Sequence, residues 1–359
     1  MPQNLDALRQ AIVTACVAVG VFASVMPTMA ADPVFGYSVN SSGNFNVNDE
    51  VHALWRINLH TGVATRVVDT QRVPTGYFDL EALAFNDQGV LYGADDDSKT
   101  LVRVGTVTGL ASSVTASSGN MGVTLVPALD FGMTFACDGQ LLVTSATEKS
   151  LFSADPAQGT LTRIGAVGAL GVALADVAAW GEVIYAVDMG TTAAGATTDP
   201  SLYRVSLDPV AVERIGSLGS AVLPYRSAGL AFDSEGQLWA VTNRRNINNQ
   251  DFSSQILRID TETGTAEAVA ETQVMANDPV VGDQALVGLE SLAIAPPSSC
   301  AASQAPYPAY AWSGASSLRD RDPLAVPVLS QPMLLLLIVL LGILGAVASA
   351  LQHRRGESS

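Results

Sequence analysis

The chain has 359 residues, of which 48% are hydrophobic and only 14% charged, with a formal net charge of −16. That is enough apolar material for the core of one large domain or two ordinary ones. Residues 32–325 carry 32 of the 34 acids and 15 of the 18 bases, which leaves this stretch near −17; unless the acids serve solubility alone, such a surface favours cations and excludes nucleic acid as a partner, because it repels phosphate chains.

The first element is an export signal over residues 1–31. Arg9 and the amino terminus supply positive charge, "AIVTACVAVGVFASV" the apolar stretch, and "PTMAADP" the small residues for cleavage near Ala30 or Ala31. Because the front is only weakly basic, an uncleaved N-terminal anchor is the alternative. Cys16 lies inside this segment, so the mature chain keeps two cysteines, Cys137 and Cys300.

Residues 32–297 are organised by a repeat. One half-motif reads Leu-x-Arg-hydrophobic, then a polar turn with Thr-Gly, then a second alternating stretch. It begins at Leu54 ("LWRINLHTGVATRV") and returns at Leu101, Leu151, Leu202 and Ile256. A second half-motif falls between these copies, as "EALAFNDQGVLYGAD" from Glu81, "FGMTFACDGQLLVTSA" from Phe131, "DVAAWGEVIYAVD" from Asp176 and "AGLAFDSEGQLWAVT" from Ala228. Each half is an apolar alternating strand, a tight turn and another strand, which is a β-hairpin signal. The turns carry Asp and Gly, which supply the local hydrogen bonds and positive φ that reversals need. Together the halves make a four-stranded unit about every 50 residues, the spacing of propeller blades. Helical patterning is nearly absent between residues 35 and 296.

The ends of the array complete each other. The first unit lacks an opening strand, since "FGYSV" leads straight to the hairpin at Leu54, and the last unit is only an opening strand, "GLESLAIAP" from Gly288. Joined, they close a ring that buries both apolar faces of every blade. The expected fold is therefore all-β, a five-bladed β-propeller closed by the C-terminal strand in blade 1; an open sandwich or solenoid is the alternative. The runs "LAFDSEGQLWAV" and "LRIDTETG" give residues 35–296 a pattern that resembles the bacterial propellers of the YVTN, NHL and WD40-like groups. Members of those groups bind proteins, bind sugars or hydrolyse esters, so the resemblance implies the fold and leaves activity open.

In such a ring the Asp-Gly and Thr-Gly turns lie at the bottom, and the loops joining second and third strands lie on top. The top loops of blades 1, 4 and 5 are long and polar ("NSSGNFNVNDEVHA", "MGTTAAGATTDPS", "NRRNINNQDFSSQ"), as in binding rims, or as insertion drift leaves them. Glu81, Asp176 and Glu290 begin their inner strands at equivalent positions, Asp130 is one residue out of step, and blade 5 has Ala228 there. Carboxylates facing one another at the upper mouth repel unless protonated or bridged by a cation, and oxygen ligands suit a hard ion such as Ca²⁺. These four acids are the expected metal site; the competing reading has them accepting hydrogen bonds from strand N–H groups and water. "DDDSKT" from Asp95 to Thr100 lacks the further spacing and terminal Glu of an EF-hand loop and reads as a solvated turn. Asn243, Arg244 and Arg245 stand on the top rim, either to clasp an acidic ligand group or as a plain solvated loop.

The sequence offers no catalytic residue. It has no His-x-x-x-His pair, no Gly-x-Ser-x-Gly elbow and no phosphate-cradling loop. His52 falls in a top loop, His60 in a bottom turn and His353 in the tail. An enzyme here would have to work through the carboxylates and a metal-bound water. Trp55, Trp180 and Trp239 occupy strand positions, as core residues do. Cys137 lies in the bottom turn of blade 3 and Cys300 just past the last inner strand, so they either pair and pin the loose end of the ring or stay as thiols.

The tail has two parts. Residues 298–325 are rich in Pro, Ser and Ala and read as an extended linker. In residues 326–359, Met333 to Leu351 make an apolar run of spanning length, followed by His353, Arg354 and Arg355. A basic flank stays cytoplasmic, which puts the propeller outside. The stretch "VPVLSQPM" resembles the Ile-Pro-Thr-Leu-Ser-x-Trp-Gly signature of the IPTL-CTERM sorting tails. Pro327, Leu329 and Ser330 match, Val326 is a conservative swap, Val328 replaces Thr, and Pro332-Met333 replaces Trp-Gly. The resemblance implies a Gram-negative envelope or surface protein handled by an exosortase-type membrane protease. The expected function is an exported, envelope-anchored binding module for an extracellular protein or glycan. A Ca-dependent hydrolase using the channel carboxylates competes with it, and a structural matrix component is a third reading.

Overall fold

A computed structural model of the chain describes residues 32–40, 52–67, 77, 79–117, 119–123, 129–192, 195–246, 248, 250, 252–275 and 282–295. In chain order the strands are β1 (Phe35–Val39), β2 (Leu54–Asn58) and β3 (Val63–Arg66), then β4 (Leu80–Phe85), β5 (Leu91–Asp95), β6 (Thr100–Val104) and β7 (Ala111–Ser113). The third group is β8 (Phe131–Phe135), β9 (Leu141–Ser145), β10 (Ser150–Ala154) and β11 (Leu161–Ile164). The fourth is β12 (Leu174–Trp180), β13 (Val183–Asp188), β14 (Ser201–Leu207) and β15 (Val210–Ser217). The fifth is β16 (Ser227–Phe232), β17 (Leu238–Asn243), β18 (Gln255–Ile259) and β19 (Ala266–Glu271), and the chain ends its described part with β20 (Gln273–Val274) and β21 (Ala293–Ile294). Among the described residues these strands form five sheets and no helix. No helix among them is long and apolar enough to cross a membrane.

Four sheets are simple meanders, and the first has the order β20-β3-β2-β1-β21. The closing strand is where the sequence placed it: Ala293 pairs with Tyr37 and Ile294 with Gly36. Its ladder is short because Ser291 replaces part of it. Val39 N–H donates to Ser291 Oγ at 3.2 Å, Ser38 Oγ donates to the Ser291 carbonyl, and Asn40 bridges to Leu289. The parallel strand β20, against Val63 and Ala64 on the outer edge, was not anticipated.

Burial shows the ring directly. The first strand of the second sheet, "LEALAF", is buried at every position, which an alternating strand achieves only when both its faces are covered. Five buried clusters supply the cover, each shared by two successive sheets. Tyr92 and Leu101 meet Phe131 and Leu141; Leu142 and Leu151 meet Val177 and Ile184; Tyr185 and Leu202 meet Phe232 and Leu257. Trp239 and Ile256 meet Trp55 and Ile57, and Val39 and Leu54 meet Leu83 and Leu91. The last two clusters contain Leu292 and Ala293 of the closing segment, so the fifth sheet joins the first and the ring is complete. Trp55 and Trp239 are core, as expected, with their indole N–H groups donating to Asn40 and Asp233; Trp180 is half-buried at the bottom.

The export signal, the linker, the sorting motif with Pro327, Leu329 and Ser330, the apolar run, Arg354, Arg355 and Cys300 all lie outside the described residues. Cys137 sits in its bottom turn and is disulfide-bonded.

Candidate metal centre at the mouth of the channel

The inner strands β4, β8, β12, β16 and β21 each turn an unpaired backbone edge toward the axis. Unpaired N–H groups shielded from water must find acceptors. At the upper end the acceptors are carboxylates. Asp176 is fully buried and takes three donors: Met133 N–H at 2.9 Å and Val177 N–H at 2.8 Å on Oδ1, and Leu230 N–H at 2.7 Å on Oδ2. It thereby ties the third, fourth and fifth blades together. Lower down, Thr134 Oγ1 accepts from Ala179 N–H. The strands approach so closely that a Cβ on Gly132 would stand 2.6 Å from Asp176 Cα, and one on Gly229 2.1 Å from the Ser291 carbonyl carbon.

Glu81 is also buried, and its Oε2 accepts from Phe131 N–H at 2.8 Å. It occupies the extra position of an irregular step between Leu80 and Ala82, and a similar step separates Leu174 from Asp176. Such bulges swing a side chain out of the pleat and are common beside functional sites. Asp130 is one residue out of register for a related reason: its φ is +48°, which aspartate tolerates better than most residues. It is half-buried and accepts from Thr147 Oγ1 at 3.0 Å.

The acids that come together are only partly those expected. One oxygen from each of Asp79, Glu81 and Asp96 lies within 4.8 Å of the others. Glu290 stands close enough to press on both Asp79 and Glu81, and Asp130 on Glu81 and Asp96. Asp176 feels only burial, which raises its pKa, and its three N–H donors, which lower it. For Asp176 the arrangement is the hydrogen-bonding one. Glu81, Glu290 and Asp130 share an acidic centre whose other members, Asp79 and Asp96, sequence reasoning missed.

Asp79 carried a readable signal in its place two residues before Glu81, just ahead of the same inner strand. Asp96 did not, because it sits in "DDDSKT", and the reading of that stretch as a solvated turn is corrected by the structure. Asp95, Asp96, Lys99 and Thr100 are all buried. Lys99, at φ +50°, folds its ammonium back onto Asp96 at 2.7 Å, and both Asp96 oxygens accept from Leu129 N–H at 3.0 Å. Asp95 Oδ1 accepts from Asp79 N–H at 2.9 Å and its Oδ2 from Ser98 N–H, so the turn holds Asp79 in place.

Crowding of like charges away from water raises carboxyl pKa values. Asp79 is pushed up to about 7, by burial first and then by Glu290, Asp96, Asp97 and Asp95. Glu81 lies well above its usual range, from burial and then Glu290, Asp79, Asp130 and Asp96. Asp96 is raised by burial and held back by Lys99 and Leu129 N–H. His52, beside Asp95 and Asp97, has its pKa lowered by burial against their pull.

On the rim, Asn243 is buried and joins the centre, its Nδ2 donating to Glu290 Oε1 and its Oδ1 accepting from Arg245 N–H at 3.1 Å. Arg244 holds its own loop. It donates to the Ser253 carbonyl at 3.1 Å, lies 4.0 Å from Glu271 and covers the Phe252 ring.

No protein-family model matches the chain, and no curated protein does. Among solved structures it is similar to virginiamycin B lyase from Staphylococcus aureus, at 13% identity over 65% of this chain and 69% of that one, TM-score 0.35. It is similar to the calcium-binding protein regucalcin from Agrobacterium tumefaciens, at 16% identity over 56% and 65%, TM-score 0.35. It is also similar to a protein of unknown function from Bacteroides caccae, at 11% identity over 73% and 98%, TM-score 0.42. Similarities this distant carry nothing over about ligand or reaction.

Proposed function

We propose that the protein is an exported, envelope-anchored propeller that binds its partner, an extracellular protein or glycan, at the top of the ring through a divalent cation, Ca²⁺ by preference. Asp79, Glu81 and Asp96 would hold the ion, with Glu290 beside them. The observation that carries the reading is the mutual approach of the three carboxylates within 4.8 Å. Two oxygens on opposite sides of one Ca²⁺ stand about 4.8 Å apart, so the donor set fits one hard ion with room for ligand oxygens. Without an ion, Lys99 at Asp96 offsets part of the repulsion among these acids, and Asp79 and Glu81 keep raised pKa values. The address rests on the apolar run from Met333 to Leu351 with Arg354 and Arg355 behind it, and the resemblance of "VPVLSQPM" to the sorting-tail motif, without its Trp-Gly, supports processing by an exosortase-type protease.

Calorimetry with CaCl₂ on the exported chain tests the reading. Wild type gives a binding isotherm, Asp79→Asn and Glu81→Gln each weaken it at least about tenfold, and Glu235→Gln in a bottom turn leaves it unchanged. A wild-type chain that takes up no Ca²⁺ contradicts it. The hydrolase reading is favoured by one observation, the titratable His52 beside Asp95 and Asp97 on the same rim. It requires Ca²⁺-dependent turnover of esters or lactones that falls with His52→Ala; intact Ca²⁺ binding without turnover leaves the binding module.

A further inference from the structure

The sequence contains two lysines, Lys99 and Lys149. They occupy the same place in successive blades, each closing the four-residue top turn that joins the second strand to the third, β5 to β6 and β9 to β10. The two turns share a backbone. Asp96 N–H donates to the Asp79 carbonyl at 2.8 Å and Ala146 N–H to the Asp130 carbonyl at 2.9 Å, and the lysines have φ of +50° and +49°. Their side chains go opposite ways. Lys149 is exposed. Lys99 is buried, with its ammonium 2.7 Å from Asp96 Oδ1, bonded also to the Asp96 carbonyl oxygen, and 5.9 Å from the centre of the Phe131 ring. Ala146 fills the place of Asp96 in the Lys149 turn. The backbone therefore permits both directions, and the carboxylate at position 96 decides between them.

Given the ion site of Asp79, Glu81 and Asp96 proposed above, on which this rests, we infer that Lys99 is its tethered counter-ion: a divalent cation takes the place of Lys99 at Asp96 and turns the ammonium out to the top rim. Asp96 cannot serve both cations. The ammonium is 2.7 Å from its oxygen, and a Ca–O bond is about 2.4 Å, so an ion on that oxygen would stand no more than about 5 Å from it. The other oxygen of the same carboxylate is little farther. Like charges at such a distance, away from bulk water, repel strongly. Charge sets the direction of the exchange. Lys99 brings one positive charge to one carboxylate, whereas the ion brings two to three carboxylates, with Glu290 and Asp130 close by. The released ammonium regains water at the end of a flexible four-carbon stem, in the direction that Lys149 already takes from the same turn, and the backbone need not move. Every ion taken up must displace the ammonium. Lys99 therefore weakens the site, and a filled site presents one more positive charge on the rim.

Amine labelling and calorimetry on the exported chain test this together. Acetylation by an N-hydroxysuccinimide ester, read by mass spectrometry at each lysine, is slow at Lys99 in chelator and at least about tenfold faster in saturating CaCl₂. Lys149, the internal reference, reacts equally fast in both. In calorimetry with CaCl₂, Lys99→Gln binds at least about tenfold more tightly than wild type, because no cation has to be displaced. A lysine that only fixed its turn would leave the affinity the same or, once removed, lower it. Wild type that binds Ca²⁺ with Lys99 labelling unchanged, or that binds it as tightly as Lys99→Gln does, overturns the exchange and leaves the ion site standing. Wild type that binds no Ca²⁺ overturns the ion site and the exchange with it. Labelling uses the wild-type chain, so it decides even where Lys99→Gln does not fold.

Discussion

Glu81 and Asp176 start from equivalent places in the repeat and end in different roles, and the difference lies in what surrounds each carboxylate. Both Asp176 oxygens accept N–H groups, so it serves as a bracket for three blades. Asp176→Asn keeps the shape but turns one acceptor toward an N–H as a donor, losing at least one of these bonds. The expected cost is about 1–3 kcal/mol for the orphaned donor, measured by urea unfolding; an unchanged midpoint contradicts the role. Glu81 accepts one N–H and faces Asp79 and Asp96. The raised Asp79 pKa has a signed consequence. Its contribution to stability is full below about pH 4, the unfolded carboxyl value, and is lost as pH rises through its folded value of about 7. Glu81 and Asp96 shift in the same direction. Melting of the chelated protein should therefore fall between about pH 4 and about pH 7, the unfolded and folded values of Asp79, and Ca²⁺ should remove that slope, since a bound cation favours the ionised acids. A flat chelated profile contradicts it. These roles were half legible: residue type and strand position marked Glu81, Asp176 and Glu290, but nothing in the sequence told which would meet N–H groups and which other acids.

The elements explain why. Hairpins were readable because their turns are local: Asn86, Asp138 and Asp233 accept N–H groups of their own bottom turns. The upper ends of the second strands, Asn40, Asp95, Ser145, Asp188 and Asn243, cap the top loops in the same way. The irregular steps at Glu81 and Asp176 left no such mark, since a bulge is set by what the neighbouring strand permits. β20 was invisible because a two-residue parallel pairing across 210 residues has no local signal. The closing strand was legible as a leftover half-motif, and its tight seat explains Gly229. Gly229→Ala puts a methyl 2.1 Å from the Ser291 backbone carbon, where no flexible side chain can yield. Overpacking against backbone belongs at the upper end of the usual range, about 3 kcal/mol. Hydrogen exchange should quicken first at β1 and β21; protection unchanged there shows that the seat is looser than the distances indicate.

At the scale of the molecule, ring closure is what gathers the acids. Glu81 comes from the second blade, Asp130 from the approach to the third, and Glu290 from the segment that closes the first. None is near another in sequence, and a structure open between the fifth and first sheets would separate Glu290 from the rest. Asp79, Glu81, Asp96, Asp130 and Glu290 thus converge at the upper end of the inner strands, and low dielectric at the mouth strengthens both their mutual repulsion and their attraction for a cation. Apolar burial stabilises the ring and repulsion at its centre opposes it, so an ion that relieves the repulsion also stabilises the fold. The most direct measurement is thermal melting at pH 7.5 with saturating Ca²⁺ against chelator, for wild type and for Glu81→Gln. At a hundredfold excess over the dissociation constant, binding stabilises by about 2.7 kcal/mol, which for a domain of this size raises the melting temperature by about 5 °C or more. The account predicts that rise in wild type and its loss in Glu81→Gln; identical melting of wild type in Ca²⁺ and in chelator would contradict it.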